Sequence, residues 1–131
     1  MLFRSDGPRL CAAAVNQARL NGFRPLLVST MLEGESREVG ALFAAMAREV
    51  LSSGHPLSAP CVLIGGGETV VNVSGWQAAG GPNQEFALGA ALRLDGCART
   101  VAIGLDSDGT DGPTEYAGGI ADDMRDRKSV V

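Results

Sequence analysis

The sequence predicts an α/β domain, with helices layered on both sides of a mixed sheet of about four or more strands. Short apolar runs of strand length alternate along the chain with longer segments whose apolar residues recur every three or four positions. Loops rich in glycine separate these segments, and 18 of the 131 residues are glycine. Alternation of strands and amphipathic helices is typical of layered α/β domains, and this length suits a single domain.

The first third of the chain predicts a helix, a strand and a second helix. Alanine-rich Arg9 to Leu20 has a proline near its first turn and ends at Asn21-Gly22, so a helix of about four turns fits. Pro25 to Ser29 is a short apolar run, which favours a buried strand. From Arg37 to Ser52 the apolar residues follow a helical period, which predicts an amphipathic helix ended by Gly54.

The middle of the chain predicts a hairpin of two antiparallel strands. Cys61 to Ile64 is an apolar run, and Thr69 to Val73 has an alternating pattern. Gly67-Glu68 lies between them and suits the turn. This antiparallel pair is the reason to expect a mixed sheet.

The last part predicts a helix, a strand and a further helix. The pattern from Pro82, near a first helical turn, ends at Gly96. Arg99 to Leu105 is strand-like and runs into a loop rich in aspartate and glycine. A final helix is expected near Thr114, including Ala117 to Ala121, although two adjacent glycines weaken it.

The composition argues against several classes of function. The formal charge is −4 and the pI is about 4.9, whereas nucleic-acid binding demands a basic surface. No apolar run is long enough to span a membrane, and the N-terminus lacks the apolar core of a secretory signal. The three widely spaced cysteines fit free, mostly buried thiols in a reducing compartment. We therefore expect a cytoplasmic protein without nucleic-acid or membrane partners.

Both ends of the chain resemble translated sequencing adapter. One coding of Leu2 to Ser5, CTC TTC CGA TCT, has a reverse complement that encodes Asp-Arg-Lys-Ser in a shifted frame, and Asp126 to Ser129 is that tetrapeptide. Residues 1–5 and 126–131 are thus interpreted as scars, and residues 6–125 as the natural domain sequence. Without the scars, 8 basic residues stand against 14 acidic ones, which gives −6, and no lysine remains.

Candidate chemistry lies in the acidic loop after the strand that ends at Leu105. Asp106, Asp108 and Asp111 fall within six residues, at the strand end where α/β sheets place ligands. Such carboxylates could bind a divalent cation or orient a hydroxyl, as a phosphoryl-transfer site requires. The alternative is structural, because aspartate and glycine dominate turns.

Two glycine clusters could line the same crevice. Gly80-Gly81 precedes a helix N-terminus, whose amide groups and dipole favour an anion, although a flexible loop is the alternative. Gly65 to Gly67 is followed by a strand, so it is no dinucleotide fingerprint, and a P-loop would need a lysine. His55 lies in a Gly-His-Pro turn and fits a solvated loop residue.

Four motifs occur in an order that resembles a known family. They are Leu32-Glu33-Gly34-Glu35, Gly66-Gly67-Glu68-Thr69, Gly80-Gly81-Pro82-Asn83-Gln84-Glu85, and Asp108-Gly109-Thr110-Asp111-Gly112-Pro113-Thr114 with Ala117-Gly118. Together they resemble the MOFRL domain, the C-terminal part of the glycerate 2-kinase family, some members of which are labelled hydroxypyruvate reductase. The chain departs from the family at Pro82, where many members carry arginine, and lacks the family's last strands.

The resemblance implies ATP-dependent phosphorylation of glycerate, a small hydroxy acid, with Mg²⁺, in a cleft against an N-terminal Rossmann-like domain of the same enzyme. It implies that Asp108 and Asp111 act at the metal or the substrate hydroxyl. The implied substrate- or nucleotide-binding residues are Gly66, Gly67, Glu68, Thr69, Gly80, Gly81, Asn83, Gln84, Glu85, Gly109, Thr110 and Thr114. A reductase dependent on NAD(P)H and a non-catalytic binding module remain the alternatives.

Overall fold

The computed structural model describes residues 7–72 and 80–123, and their elements confirm the α/β class. The predicted scars, residues 1–5 and 126–131, lie outside the described residues. In chain order the elements are α1 (Gly7–Leu20), β1 (Arg24–Leu32), α2 (Ser36–Ser53), β2 (Cys61–Gly67), α3 (Pro82–Ala91), β3 (Val101–Leu105) and β4 (Gly118–Asp122). In the described part of the chain, the four strands form two separate pairs, one parallel and one antiparallel, where the sequence predicts one mixed sheet.

Strands β1 and β2 are parallel, with Leu27 opposite Ile64, and α2 provides the crossover between them. Consecutive residues of a strand point to opposite faces. A Cβ atom on Gly65 would lie 2.6 Å from the Phe43 ring of α2, and one on Gly66 would lie 2.6 Å from Cys11 Sγ of α1. Helices therefore cover both faces of this pair, and the glycines let them approach closely.

The predicted hairpin after β2 is wrong for the described residues. The chain does not turn back beyond Gly67 but runs on alongside the segment that follows β1. Glu68 N donates to Leu32 O at 2.9 Å, and Val70 forms a parallel bridge with Glu35. Strand β1 extends three residues past its predicted end, so it offers acceptors for continued parallel pairing. Residue 73 of the predicted strand lies outside the described residues.

Strands β3 and β4 form an antiparallel hairpin in which Ile103 lies opposite Ile120. The predicted helix near Thr114, which includes Ala117 to Ala121, is wrong, because residues 118–122 form β4. Glycine is a poor helix former, and here Gly119 fits under α3, where a Cβ atom would lie 3.0 Å from the Ala87 Cβ. The pair of glycines thus serves close packing of a strand.

The core lies between α2, α3 and the residues around β3. Gly40 and Gly89 bring the two helix backbones together, because a Cβ atom at either position would collide with the backbone of the other helix. Phe43 and Phe86 meet edge to face, with ring centroids 5.5 Å apart. The buried cluster beside them is formed by Ala44, Ala90, Leu94 and Cys97. This packing fixes where the N-terminus of α3 lies.

All three cysteines are free thiols, with Cys11 and Cys97 buried. Burial raises the pKa of the half-buried Cys61 thiol, and the nearby Arg24 charge partly opposes that shift. None of the helices in residues 7–72 and 80–123 combines the length and the apolar character that a membrane crossing requires.

Candidate functional site

The acidic loop and the second glycine loop meet at the N-terminus of α3. Asp111 is fully buried there, at 0% exposure. Its Oδ1 accepts hydrogen bonds from the backbone N and the side-chain Nδ2 of Asn83, both at 2.9 Å. Its Oδ2 accepts from the backbone N of Gln84 at 2.8 Å. The predicted convergence of these two loops is therefore present, and a single carboxylate joins them.

Asp111 accepts hydrogen bonds from the backbone amides at the start of α3. In the sequence these amides are the predicted donors to an external anion. Pro82 has no N–H to offer, and Glu85 N donates to Gly81 O within the helix at 3.0 Å. The amides of Asn83 and Gln84 are those that Asp111 binds. A carboxylate is favoured at this position by the helix dipole. The chain thus supplies its own anion at the start of α3.

Glycine is required on both sides of this contact. A Cβ atom on Gly81 would collide with the carboxylate and backbone of Asp111. Gly112 has a φ of +61°, and a Cβ atom there would lie 3.1 Å from Gly81 Cα. The glycines of the two motifs therefore allow the two backbones to approach closely.

A second set of hydrogen bonds closes the acidic loop from its far side. Gln84 Nε2 donates to Thr114 Oγ1 at 2.9 Å, and Thr114 Oγ1 donates to Asp111 O at 2.7 Å. Asp111 N donates to Tyr116 O at 2.7 Å. These hydrogen bonds hold the loop between β3 and β4 in place at Asp111 and at Thr114. The outer part of the loop is therefore attached to a segment of fixed position.

The outer part of the loop carries the remaining predicted site residues. Asp108, Gly109 and Thr110 are exposed. Asp108 N donates to Asp106 Oδ1 at 2.6 Å, which makes a local aspartate turn, and Gly109 has a φ of +96°. In residues 7–72 and 80–123 no three acidic, histidine or cysteine side chains are grouped in a way that could hold a metal ion.

The first glycine motif, Gly66-Gly67-Glu68-Thr69, lies beside the start of α2, whereas Asp111 contacts the start of α3. Gly66 and Gly67 are part of β2. Thr69 Oγ1 accepts a hydrogen bond from Ser36 Oγ at 2.7 Å, and Ser36 is fully buried at the start of α2. The contacts of Glu68 and Thr69 run to β1 and to α2. The structure therefore groups these two residues around the start of α2.

Sequence reasoning missed Ser36, which joins the chain after β2 to the start of α2. Its N donates to Val70 O at 2.8 Å, in addition to its side-chain bond with Thr69. A serine directly before a helical pattern is a recognised helix-start signal, so it could have been found. The neighbouring Glu35 accepts a hydrogen bond from Asn72 N at 3.1 Å.

The family model described as the MOFRL family matches residues 61–129. This is more than half of the 131 residues. The chain belongs to the MOFRL family. The predicted resemblance is thus confirmed, and the match includes both the Asp111 contact and the hairpin that carries it.

Relatives of this MOFRL chain are longer proteins. A D-glycerate 2-kinase of Thermotoga maritima is 44% identical over 114 residues, which are 87% of this chain and 27% of the relative. A candidate hydroxypyruvate reductase of Agrobacterium vitis is 39% identical over 109 residues, 82% of this chain and 28% of the relative. The chain spans about a quarter of the length of the curated relatives it matches.

Solved structures agree with this MOFRL assignment. The crystal structure of a Thermotoga maritima glycerate kinase matches with a TM-score of 0.86 at 43% identity, over 89% of this chain and 28% of that one. The α/β fold is therefore the fold of a domain within a larger glycerate kinase chain.

Among the MOFRL motif residues, the structure brings together those around the start of α3. Asp111 contacts Gly81, Asn83, Gln84 and Thr114, and Gln84 also donates to Thr114. Gly80 lies beside them, where a Cβ atom would be 3.9 Å from Glu85 Oε1. The Asp108 to Thr110 segment is the exposed tip of the same loop. Whether these residues bind a ligand stays a prediction.

Proposed function

We propose that the chain is the C-terminal part of a longer cytoplasmic enzyme that transfers a phosphoryl group from ATP to the 2-hydroxyl of glycerate. The observation that carries the proposal is the 44% identity, over 87% of this chain, to a protein named D-glycerate 2-kinase. The chain spans about a quarter of such relatives. A Rossmann-like N-terminal domain is therefore proposed to supply the other wall of the cleft, and the chain alone is proposed to be inactive.

Within this proposal the two predicted catalytic aspartates have different roles. Asp111 is a positioning residue, because its carboxylate is buried and accepts three hydrogen bonds. Asp108 is the candidate for direct action at the metal or the glycerate hydroxyl, since it is exposed at the tip of a loop with a fixed base. Thr110 and Gly109 beside it, and Glu85 with Gly80, are proposed to line the substrate end.

The described residues do not form a complete Mg²⁺ site. Magnesium in kinases is usually held by one or two carboxylates together with phosphate oxygens. Asp108 could provide one carboxylate, whereas the oxygens of Asp111 already accept bonds from α3. ATP and Mg²⁺ would therefore be held mainly by the remainder of the parent enzyme. That part would also need to supply a positively charged side chain to balance the charge of the phosphates.

The test is an assay of ATP consumption with glycerate on the full-length parent. Asp108→Asn should lower kcat at least tenfold, because it removes a charged group from the reacting centre, and its unfolding midpoint should stay the same. Glu115→Gln is the matched control, since Glu115 is an exposed acidic residue of the same loop. Full activity of Asp108→Asn would remove this residue from the mechanism, and a parent without glycerate-dependent ATP use would overturn the proposed function.

A hydroxypyruvate reductase is the second candidate, because a relative bearing that name is 39% identical. It would oxidise NAD(P)H when given hydroxypyruvate. The same parent preparation can be assayed for this, by the loss of nicotinamide absorbance. Nicotinamide oxidation without glycerate-dependent ATP use would favour the reductase over the kinase.

A further inference from the structure

Gln84 of α3 is attached to the acidic loop at two different residues. Its backbone N donates to Asp111 Oδ2 at 2.8 Å, and its side-chain Nε2 donates to Thr114 Oγ1 at 2.9 Å. The neighbouring Asn83 also provides two donors, but both go to Asp111 Oδ1. The side chain of Gln84 therefore adds an attachment that the Asp111 carboxylate does not provide.

The Thr114 hydroxyl is fully used by hydrogen bonds within the chain. It donates its single proton to Asp111 O at 2.7 Å. It accepts from Gln84 Nε2 at 2.9 Å and from Tyr116 N at 3.3 Å. A threonine hydroxyl has one proton and two lone pairs. These three bonds therefore leave Thr114 Oγ1 no capacity for a substrate or a nucleotide.

Two attachments restrict the acidic loop more than one does. The Asp111 carboxylate holds the loop through a single side chain, and rotation about that side chain would still move the backbone. The bond from Gln84 acts on Thr114, whose hydroxyl in turn holds the backbone carbonyl of Asp111. Both the side chain and the backbone of Asp111 are therefore fixed relative to α3.

This fixed segment limits where Asp108 can lie. Two residues separate Asp108 from Asp111. At the other end of this tip, Asp106 N donates to Ala117 O at 2.7 Å, and Asp106 Oδ1 accepts from Asp108 N at 2.6 Å. A short segment that is held at both ends has few conformations. Loosening the Thr114 end should therefore widen the range of positions open to the Asp108 carboxylate.

We propose that Gln84 and Thr114 are positioning residues, which hold the Asp108 carboxylate where the phosphoryl transfer takes place. The family resemblance implies that both bind substrate or nucleotide directly, whereas Gln84 Nε2 and Thr114 Oγ1 are bonded to each other. The inference rests on the proposed function, because it needs Asp108 to act in the reaction. It predicts a loss of turnover, and not of substrate affinity, when the contact is broken.

The first test is steady-state kinetics of the full-length parent with glycerate and ATP. Gln84→Met removes the amide donor but keeps a good helix former, and the backbone N that bonds Asp111 remains. We expect kcat to fall at least about fivefold and KM for glycerate to change less than about twofold, because a small displacement of a reacting group can cost up to about 100-fold. A raised KM at unchanged kcat would mean direct binding and would overturn the proposal.

Gln17→Met is the matched control for Gln84→Met. Gln17 is an exposed glutamine of α1 whose Nε2 donates to Asn21 Oδ1 at 3.1 Å, so the same kind of bond is lost at a place remote from the acidic loop. Its kcat and KM should equal those of the unaltered parent. An equal loss of kcat in the two variants would overturn the proposal.

Two further variants distinguish positioning from a general loss of structure. Thr114→Val should lower kcat as Gln84→Met does, whereas Thr114→Ser keeps the hydroxyl and should restore activity. In a parent that already carries Asp108→Asn, Gln84→Met should lower kcat by less than about twofold more, since effects that act through one group are not additive. Equal losses for Thr114→Val and Thr114→Ser, or an undiminished loss in the Asp108→Asn parent, would overturn the proposal.

Hydrogen exchange of the same parent tests the contact without activity. In Gln84→Met, the peptide that spans residues 106–116 should exchange at least about fivefold faster, because its local opening becomes easier, and peptides of α2 should not change. Unchanged exchange at the loop would overturn the proposal. A parent that shows the faster exchange but no glycerate-dependent ATP use would contradict the proposed function and leave the contact supported.

Discussion

Helices α2 and α3 pack against each other, yet their N-termini are held in different ways. Helix α2 begins at Ser36 without a side-chain cap, and its first amide donates to a backbone carbonyl, Val70 O. Helix α3 begins with its amides bonded to the carboxylate of Asp111, which lies 27 and 28 residues further along the chain.

The difference distinguishes two roles that a glycine-rich loop before a helix can have. It can bind an external anion through free amides, or it can pack against another loop of the same domain. Such a loop commonly presents free amides to a phosphate, but at α3 the carboxylate of Asp111 occupies that position. At α3 this loop brings two motifs of the domain into contact. At α2 the neighbouring segment is bound through hydroxyl and carbonyl groups and through the Glu35 carboxylate, which accepts from Asn72 N. The first amide of α2 donates to a carbonyl oxygen and not to a carboxylate.

Among the substitutions at the two helix starts, replacing Asp111 should lower the free energy of unfolding the most. Asp111→Ala removes three hydrogen bonds at a fully buried position and leaves two amides of α3 unsatisfied. The free energy of unfolding should fall by about 2 to 4 kcal/mol, as lost caps and buried charge-assisted bonds together predict. Urea denaturation of the chain measures it.

Asp108→Ala is the matched control for that experiment, because Asp108 is an exposed aspartate of the same loop. Its stability should change by less than about 0.5 kcal/mol, as for most exposed substitutions. Equal losses for the two variants would show that Asp111 does not hold the start of α3.

The glycine beside the cap should give the next largest effect. Gly81→Ala places a Cβ atom in collision with Asp111, and overpacking of this kind costs about 1 to 3 kcal/mol. Gly80→Ala should be tolerated, since a Cβ atom there meets only Glu85 Oε1, at 3.9 Å. Thermal unfolding of both variants checks the pair, and an equal tolerance at position 81 would contradict the close approach.

Loss of the hydroxyl at the start of α2 should give the smallest effect. Ser36→Ala breaks the hydrogen bond to Thr69 but leaves the backbone bond to Val70 in place. We expect a loss of about 1 kcal/mol, the usual net value of one hydrogen bond. Thr69→Ser keeps the hydroxyl and serves as the control. A loss as large as that of Asp111→Ala would mean that the two helix starts are equally dependent on side chains.

The sequence predicts the elements that have a strong local pattern. Helix α2 was expected from Arg37 to Ser52 and is found at Ser36–Ser53, because its apolar residues follow a clear helical period. The sequence also predicts the contact between the acidic loop and the Gly80-Gly81 loop, since both lie at element ends. The same residues did not reveal that Asp111 turns inward, because burial of a turn aspartate depends on partners distant in the chain.

The errors lie where tertiary contacts decide the structure. Local pattern after β2 favours a hairpin, whereas the actual partner of Val70 is Glu35, 35 residues earlier. Local pattern near Gly118 and Gly119 favours a weak helix, whereas pairing with β3 makes the segment a strand. Glycine-rich segments carry little local preference, so their conformation follows from what packs on them.

The Asp111 cap also constrains the order in which this part of the chain can fold. A ten-residue helix is marginal by itself, and its stabilising carboxylate arrives only when the loop between β3 and β4 has closed. Helix and hairpin should therefore form in one cooperative step, delayed by the closure of a loop of about 27 residues. In hydrogen exchange, the amides of Asn83 and Gln84 should open together with those of the hairpin, and not with the rest of the helices.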